Sequence, residues 1–348
     1  MTSGPAENPG LLAAARKGLG VAAALLVVAT VLGAMWVGFG DHGEAVTRVW
    51  REVDAPHLAV AWIIMTSGMV GLALRWRSFF PAGVRADLQP LTSILFVGMS
   101  LNYALPGPVG EFVGAKLAAR RFGLATESAL AAGIAARFVG LGISGLVSIA
   151  LLAGGWVDLP ADWGNWLAVA AVAVGGGACA LAVLVAMPNR METVADLTLG
   201  RLSLALRFRW LATLHTAVVR FAHALGSLGR TGWGPYRRAA FWALVGHALV
   251  VLGIWIAGHG LGHPPSVAGL VFTYAASTAG AILLVGFPGG QVGWDAMFAS
   301  LLVSTAGLDV ATALALTLAV RVQQLSLVVV GCVELARWLR NESAPSAG

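Results

Sequence analysis

Leu105-Pro106-Gly107-Pro108-Val109-Gly110-Glu111 decides the reading of this chain, because it occurs twice. The second copy is Phe287-Pro288-Gly289-Gly290-Gln291-Val292-Gly293-Trp294-Asp295. Gly123-Leu124, Ala129-Leu130-Ala131 and Arg137 follow the first copy, and Gly307-Leu308, Ala313-Leu314-Ala315 and Arg321 follow the second. Carboxylate and arginine are 26 positions apart in both, Glu111 to Arg137 and Asp295 to Arg321. The Pro-Gly loop alone differs, by two extra residues in the second copy. Each unit is therefore a Pro-Gly break, a carboxylate, a short helix and an arginine deep in an apolar run. Internal repeats with broken helices point to a transport site.

The flanking sequence is apolar. Hydrophobic residues make up 58% of the chain and charged ones 11%, with a mean hydropathy of +0.82. Soluble domains carry about 25% charged residues, so this chain cannot clothe a water-facing surface. It reads as an all-α polytopic membrane protein. The pI near 10.1 does not argue for nucleic acid, since the cations are confined to particular loops and there report orientation. Cys179 and Cys332 lie in apolar runs and read as small hydrophobes, with no disulfide and no metal expected.

Segments long enough to span, about 20 residues, are read at 18–39, 57–74, 128–154, 165–187, 239–258 and 309–335. Apolar arms at 88–105 and 267–287 stop at Pro106 and Pro288, and the short helices 112–122 and 296–306 follow them. A cleaved signal peptide is disfavoured for 18–39, which is too long and lacks an Ala-x-Ala site. The expected architecture is about six full spans plus two re-entrant hairpins. Residues 1–17 form a cytoplasmic tail, 18–340 one transmembrane domain and 341–348 a C-terminal tail. Within the domain, repeat A covers about 57–187, a basic cytoplasmic linker 188–238 and repeat B about 239–340. The linker carries eight arginines from Arg190 to Arg238. Trp210, Leu214, Val218, Phe221 and Leu225 form one helical stripe within it. That stripe suits either the headgroup region or the underside of the protein itself.

If each Pro-Gly unit is a hairpin returning to its own side, nearly all cations fall on one face and only Arg48 and Arg51 on the other. The positive-inside rule then places both termini in the cytoplasm, here of a bacterial inner membrane. The Arg137 helix runs outward and the Arg321 helix inward, which makes the units inverted-topology repeats.

Proline removes a backbone donor and breaks a helix. In lipid such a break persists only when buried in protein or facing a watery cavity. Pro106, Gly107, Gly110, Pro288, Gly289, Gly290 and Gly293 are thus candidate gating positions. An arginine at mid-membrane costs about 2.5–3.5 kcal/mol, so Arg137 and Arg321 need an offsetting partner. Ion pairs with Glu111 and Asp295, within or across repeats, would supply one. A cationic cavity for an anionic headgroup would supply another, and the guanidinium fork suits phosphate. Asn102, one turn before Pro106, either caps freed backbone or contacts ligand. Tyr103, Gln291, Gln323 and Gln324 carry the same ambiguity. His247 reads as a hydrogen-bonded core histidine, and His259 with His263 lack a third ligand. No catalytic motif appears, so an enzyme is not expected and no cofactor is implied.

These motifs in this order resemble the flippase-like membrane family, the transmembrane region of lysylphosphatidylglycerol synthases (the multiple peptide resistance factor). The resemblance covers nearly the whole chain. It implies lipid movement between leaflets, with partners such as anionic phospholipid, aminoacylated or glycosylated lipid, or polyprenyl-phosphate-linked lipid. The second carboxylate is Asp295 where the family more often has Glu, and Trp294 precedes it. With no aminoacyl-transferase domain after Gly348, a stand-alone member is expected, and its lipid is not inherited from the synthase. The alternative is a non-transporting scaffold that docks a lipid-synthesising enzyme or glycosyltransferase through the basic linker. An integral membrane enzyme lacks a nucleophile or metal set here.

Overall fold

In hydrocarbon each backbone polar group must find its partner within the protein, and a helix does so inside one segment. The computed structural model describes residues 40–104, 109–159, 209–280 and 290–342, with a few isolated positions besides, and among these residues it is helical without strands. After a 3-10 turn (Gly40–His42) the helices are α1 (Gly43–Arg51), α2 (Ala55–Arg77), α3 (Leu88–Ala104), α4 (Val109–Phe122) and α5 (Thr126–Ala153). They continue as α6 (Arg209–Gly229), α7 (Trp233–Gly260), α8 (Val267–Gly280), α9 (Gly290–Ala306) and α10 (Val310–Glu342). By length and composition α2, α5, α7 and α10 can each cross a membrane. Leu146, Ile149 and Phe241 stay exposed on α5 and α7, as side chains facing lipid would. The chain is a multi-pass membrane protein. The expected spans 18–39 and 165–187 lie outside the described residues, as does Cys179.

Packing is symmetric under exchange of α2–α5 for α7–α10. Arm pairs α3 with α4 and α8 with α9 fold back as hairpins. The first arm of each hairpin lies along the arginine helix of the other unit, α3 on α10 and α8 on α5, while α2 packs on α7. Small residues permit the close approach. A Cβ on Gly71 would sit 2.8 Å from Gly246 Cα, and one on Gly253 would sit 2.8 Å from the Ala61 carbonyl. Gly123 and Gly307, equivalent in the repeat, both take left-handed backbone (φ 68° and 76°) and end α4 and α9. Glycine meets that conformation at no steric cost.

Several expected boundaries shift. The helices after the breaks begin at Val109 and Gly290, not at 112 and 296. Gly110, Glu111, Gly290, Gly293 and Asp295 are therefore helical residues. At Gly110 the reason is contact: a Cβ there would overlap the Gly98 carbonyl and Asn102 Oδ1, so glycine lets α4 lie directly on α3. Glu111 in the first turn also suits the positive helix end. Pro106, Gly107, Pro288 and Gly289 lie outside the described residues. Gly43–Arg51, of which the sequence reading used only the charges Arg48 and Arg51, forms the amphipathic α1, which buries Val46 and packs on α10. In the basic linker, α6 lays Phe221, Leu225 and Leu228 into the core around α5, and Arg220 faces Glu127 at 3.5 Å. The C-terminal part of its stripe, Phe221 and Leu225, thus covers the protein's own flank.

Candidate intramembrane site

The twelfth residue of both arginine helices is the arginine itself, so α5 and α10 carry Arg137 and Arg321 three turns in. Each meets the carboxylate of its own unit. Arg137 Nη1 pairs with Glu111 Oε1, and Arg321 donates through Nε and Nη2 to Asp295 Oδ1. The crossed pairing considered from sequence is absent among the described residues.

Around Arg321 the polar contacts are closed. Its side chain is 0% exposed. Nη1 donates to Tyr103 Oη and, at 2.8 Å, to Gln324 Oε1. Tyr103 donates to Gln324 Oε1 at 2.5 Å. Tyr103 and Trp294 rings each stand 5.5 Å from the guanidinium carbon, within cation–π range. Trp294 in turn stacks on Phe298. Tyr103 comes from α3 of the first unit, so this cluster ties the two units together. Asp295 Oδ2 is buried and accepts no hydrogen bond among the described residues. Gln323 donates to Thr66 at 3.1 Å and joins α10 to α2. Gln291 lies where no side chain is described.

Around Arg137 the contacts are open. Its side chain is 43% exposed and that of Glu111 23%. Asn102 does the capping that its place before Pro106 suggested. Its Oδ1 accepts from the Gly110 amide at 2.8 Å, and its Nδ2 donates to Glu111 Oε2 at 2.9 Å. Glu111 is thereby aimed at Arg137. Asn102, Glu111 and Arg137 all line a cavity of ≈ 320 Å³ between α2, α3, α4, α5 and α8, with His247 of α7 on its wall.

Sequence reasoning missed one member of this cavity. Arg75, in the last turn of α2, read as a cytoplasmic cation, yet it lines the chamber beside Arg137. Its guanidinium rests on Gly140, where a Cβ would collide with it. Its Nε is buried without a hydrogen-bond partner, and none of the ion pairs among the described residues includes it. The signal available was Gly140, a residue without a side chain one turn after Arg137. His247 is hydrogen-bonded as expected and also faces a cavity. It stands 3.3 Å from Tyr274 Oη and 3.5 Å from Ser144 Oγ, on the cavity wall. His259 contacts the Trp255 carbonyl, and no His, Cys, Asp and Glu grouping suited to a metal exists among the described residues.

The arrangement places two guanidiniums against one carboxylate in a small chamber. It can hold an anion with forked hydrogen bonds. The family model described as the lysylphosphatidylglycerol synthase TM region matches residues 19–331. No curated protein and no solved structure matches the chain.

Proposed function

We propose a function from one premise, that the chain belongs to the family of the lysylphosphatidylglycerol synthase TM region. The protein moves an anionic lipid, or a lipid-linked anionic headgroup, from one leaflet to the other. The observation that carries this reading is the half-exposed Arg137 on the wall of a chamber that holds more cationic than anionic side chains. A purely structural arginine at that depth would be closed over by its partners, as Arg321 is, because desolvated charge is costly.

In this reading the two packed units are inverted-topology repeats, with both termini in the cytoplasm of a bacterial inner membrane. The exchange symmetry of their contacts supports that reading. The hairpins α3–α4 and α8–α9 serve as the gates. Arg137 takes the headgroup, Glu111 and Asn102 set its orientation, and Arg321 with Asp295 holds the second gate against the first unit. No bond is made or broken, so the protein is a transporter and not an enzyme.

Proteoliposomes with fluorescent anionic and zwitterionic lipids test this. Wild type should expose anionic lipid to an external quencher faster than empty vesicles. Arg137→Gln should slow that exposure at least about tenfold, the loss of one charge-assisted contact, with the thermal midpoint held. Equal rates with and without wild-type protein, for every lipid tried, would sink the reading.

A further inference from the structure

The chamber does not end at His247 and Tyr274. Both residues also line a second cavity, ≈ 480 Å³, on the far side. Its wall is almost wholly apolar, built from Ile143 and Val147 of α5, Val251 and Trp255 of α7, and Leu270 and Val271 of α8. Along α5 the two cavities run from Ala129 to Val147, about 27 Å at 1.5 Å per residue. That approaches the hydrocarbon thickness of a bilayer, about 30 Å. One end is cationic and the other takes hydrocarbon, which is the division of a single amphiphile.

Arg75 adds the chemical class. It is the chamber's unspent charge, because Glu111 is already engaged by Arg137 and Asn102. With its guanidinium set on Gly140, one turn beyond Arg137, it is held as a second fork near the first. Two planar forks suit the oxygens of a phosphate better than a carboxylate, which one fork satisfies. Thr278 also lines this chamber and brings a hydroxyl.

We infer that Arg75 and Arg137 together bind the phosphate of a lipid headgroup in the chamber, while its hydrocarbon chain lies in the apolar cavity beyond His247 and Tyr274. This rests on the transport reading for its purpose, not for its geometry. With the N-terminal end of α5 cytoplasmic, the phosphate end of the pose faces the cytoplasm and the chain points outward past the midplane, the sense in which an inner-leaflet lipid stands. His247 and Tyr274 form the neck between the two ends, so they divide headgroup from chain.

The test is equilibrium binding to the purified full-length protein, read by tryptophan fluorescence, since Trp76 and Trp255 line the two cavities. Three probes separate the parts: dioctanoyl phosphatidylglycerol, dioctanoylglycerol without phosphate, and glycerol phosphate without chains. The phosphatidylglycerol should bind at least about tenfold more tightly than either fragment. Arg75→Gln should weaken it about tenfold without lowering the thermal midpoint, because it removes a charge with no partner. Gly140→Ala, which displaces the guanidinium and keeps the charge, should do the same. Val271→Trp should weaken the phosphatidylglycerol and leave glycerol phosphate unchanged. Unaltered phosphatidylglycerol binding in Arg75→Gln, or a lowered thermal midpoint there, would overturn the assignment. Glycerol phosphate binding as tightly as the lipid would make this a soluble-phosphate site and overturn the lipid half. The two readings fail separately. Wild type that binds as expected but moves no lipid in vesicles loses transport and keeps the site. Arg75→Gln that moves lipid at the wild-type rate loses the site and keeps transport.

Discussion

The two arginine sites have the same sequence plan and opposite surroundings. Arg321 is sealed by Asp295, Tyr103, Gln324 and two aromatic faces, and no part of its side chain is accessible. Arg137 has Glu111 and a chamber, and nearly half of its side chain is accessible. The lesson is that a repeated motif fixes where a charge is placed along a helix, and its neighbours decide what the charge can do. Tyr103 makes the difference at Arg321. The equivalent of Tyr103 in the second copy, 182 positions on by the register of Pro106 and Pro288, is Val285. Valine offers no hydroxyl, so the second copy carries no counterpart to the Tyr103 hydroxyl.

The largest effect should come from unbalancing the sealed site. Asp295→Asn leaves Arg321 charged and without a counterion, which at a buried pair costs about 3–5 kcal/mol. Glu111→Gln, at a pair open to the chamber, should cost under about 1 kcal/mol. Thermal unfolding in one detergent reads both. Equal losses would erase the contrast between the two sites, and a larger loss for Glu111→Gln would reverse it.

Comparing the hairpins gives a middle-sized effect. Gly98 and Gly280 are equivalent and each faces the returning arm of its hairpin, but they meet different neighbours. The first hairpin is backbone against backbone at Gly98 and Gly110, whereas a Cβ on Gly280 meets the thioether end of Met297. Met297 can move aside and a carbonyl cannot. Gly110→Ala should therefore cost about 1–3 kcal/mol as overpacking, and Gly280→Ala less than about 1 kcal/mol. If both are silent in thermal unfolding, the first hairpin is not closed as tightly as the structure has it.

Much of this was legible in the sequence, for a physical reason. Helices at Ala55–Arg77, Leu88–Ala104 and Thr126–Ala153 follow from apolar runs with polar ends, a signal lipid makes unambiguous. The 26-residue spacing placed carboxylate and arginine together because intervening helices of equal length return the chain to the same depth. Arg75 was not legible. A cation at a helix end normally snorkels to the interface, and only the gap at Gly140, on another helix, turns it inward. The helix starts at Val109 and Gly290 were hidden because glycine usually reads as loop, while here it serves close contact between helices. The amphipathic α1 was hidden by its charges, which mask a three-residue apolar face on Val46, Val49 and Trp50.

The smallest effect concerns how the two arginine helices begin. Asp309 and Ala125 are equivalent positions, each directly before its helix. Asp309 Oδ1 accepts from the Ala311 and Thr312 amides at 3.0 and 3.1 Å, and Oδ2 accepts from the Thr312 hydroxyl at 2.6 Å. Ala125 has the extended backbone of a cap (φ −70°, ψ 139°) and no side chain to use it. Asp309→Ala should therefore cost about 1 kcal/mol, and Ala125→Asp should gain about 0.5–1 kcal/mol, a little of it lost to nearby Glu127. Acid adds a second check. Burial alone would raise the Asp309 carboxyl, but its hydrogen bonds from Thr312 and Ala311 prevail and hold it below the ordinary carboxylate range. Its contribution is then complete above the unfolded value, about pH 4, and is lost as pH falls through the lower folded value. Wild type should accordingly lose more of its thermal midpoint than Asp309→Ala as pH falls below about 4. A parallel decline in the two proteins would mean that the cap is not formed in solution, and with it would go this last asymmetry between the two arginine helices.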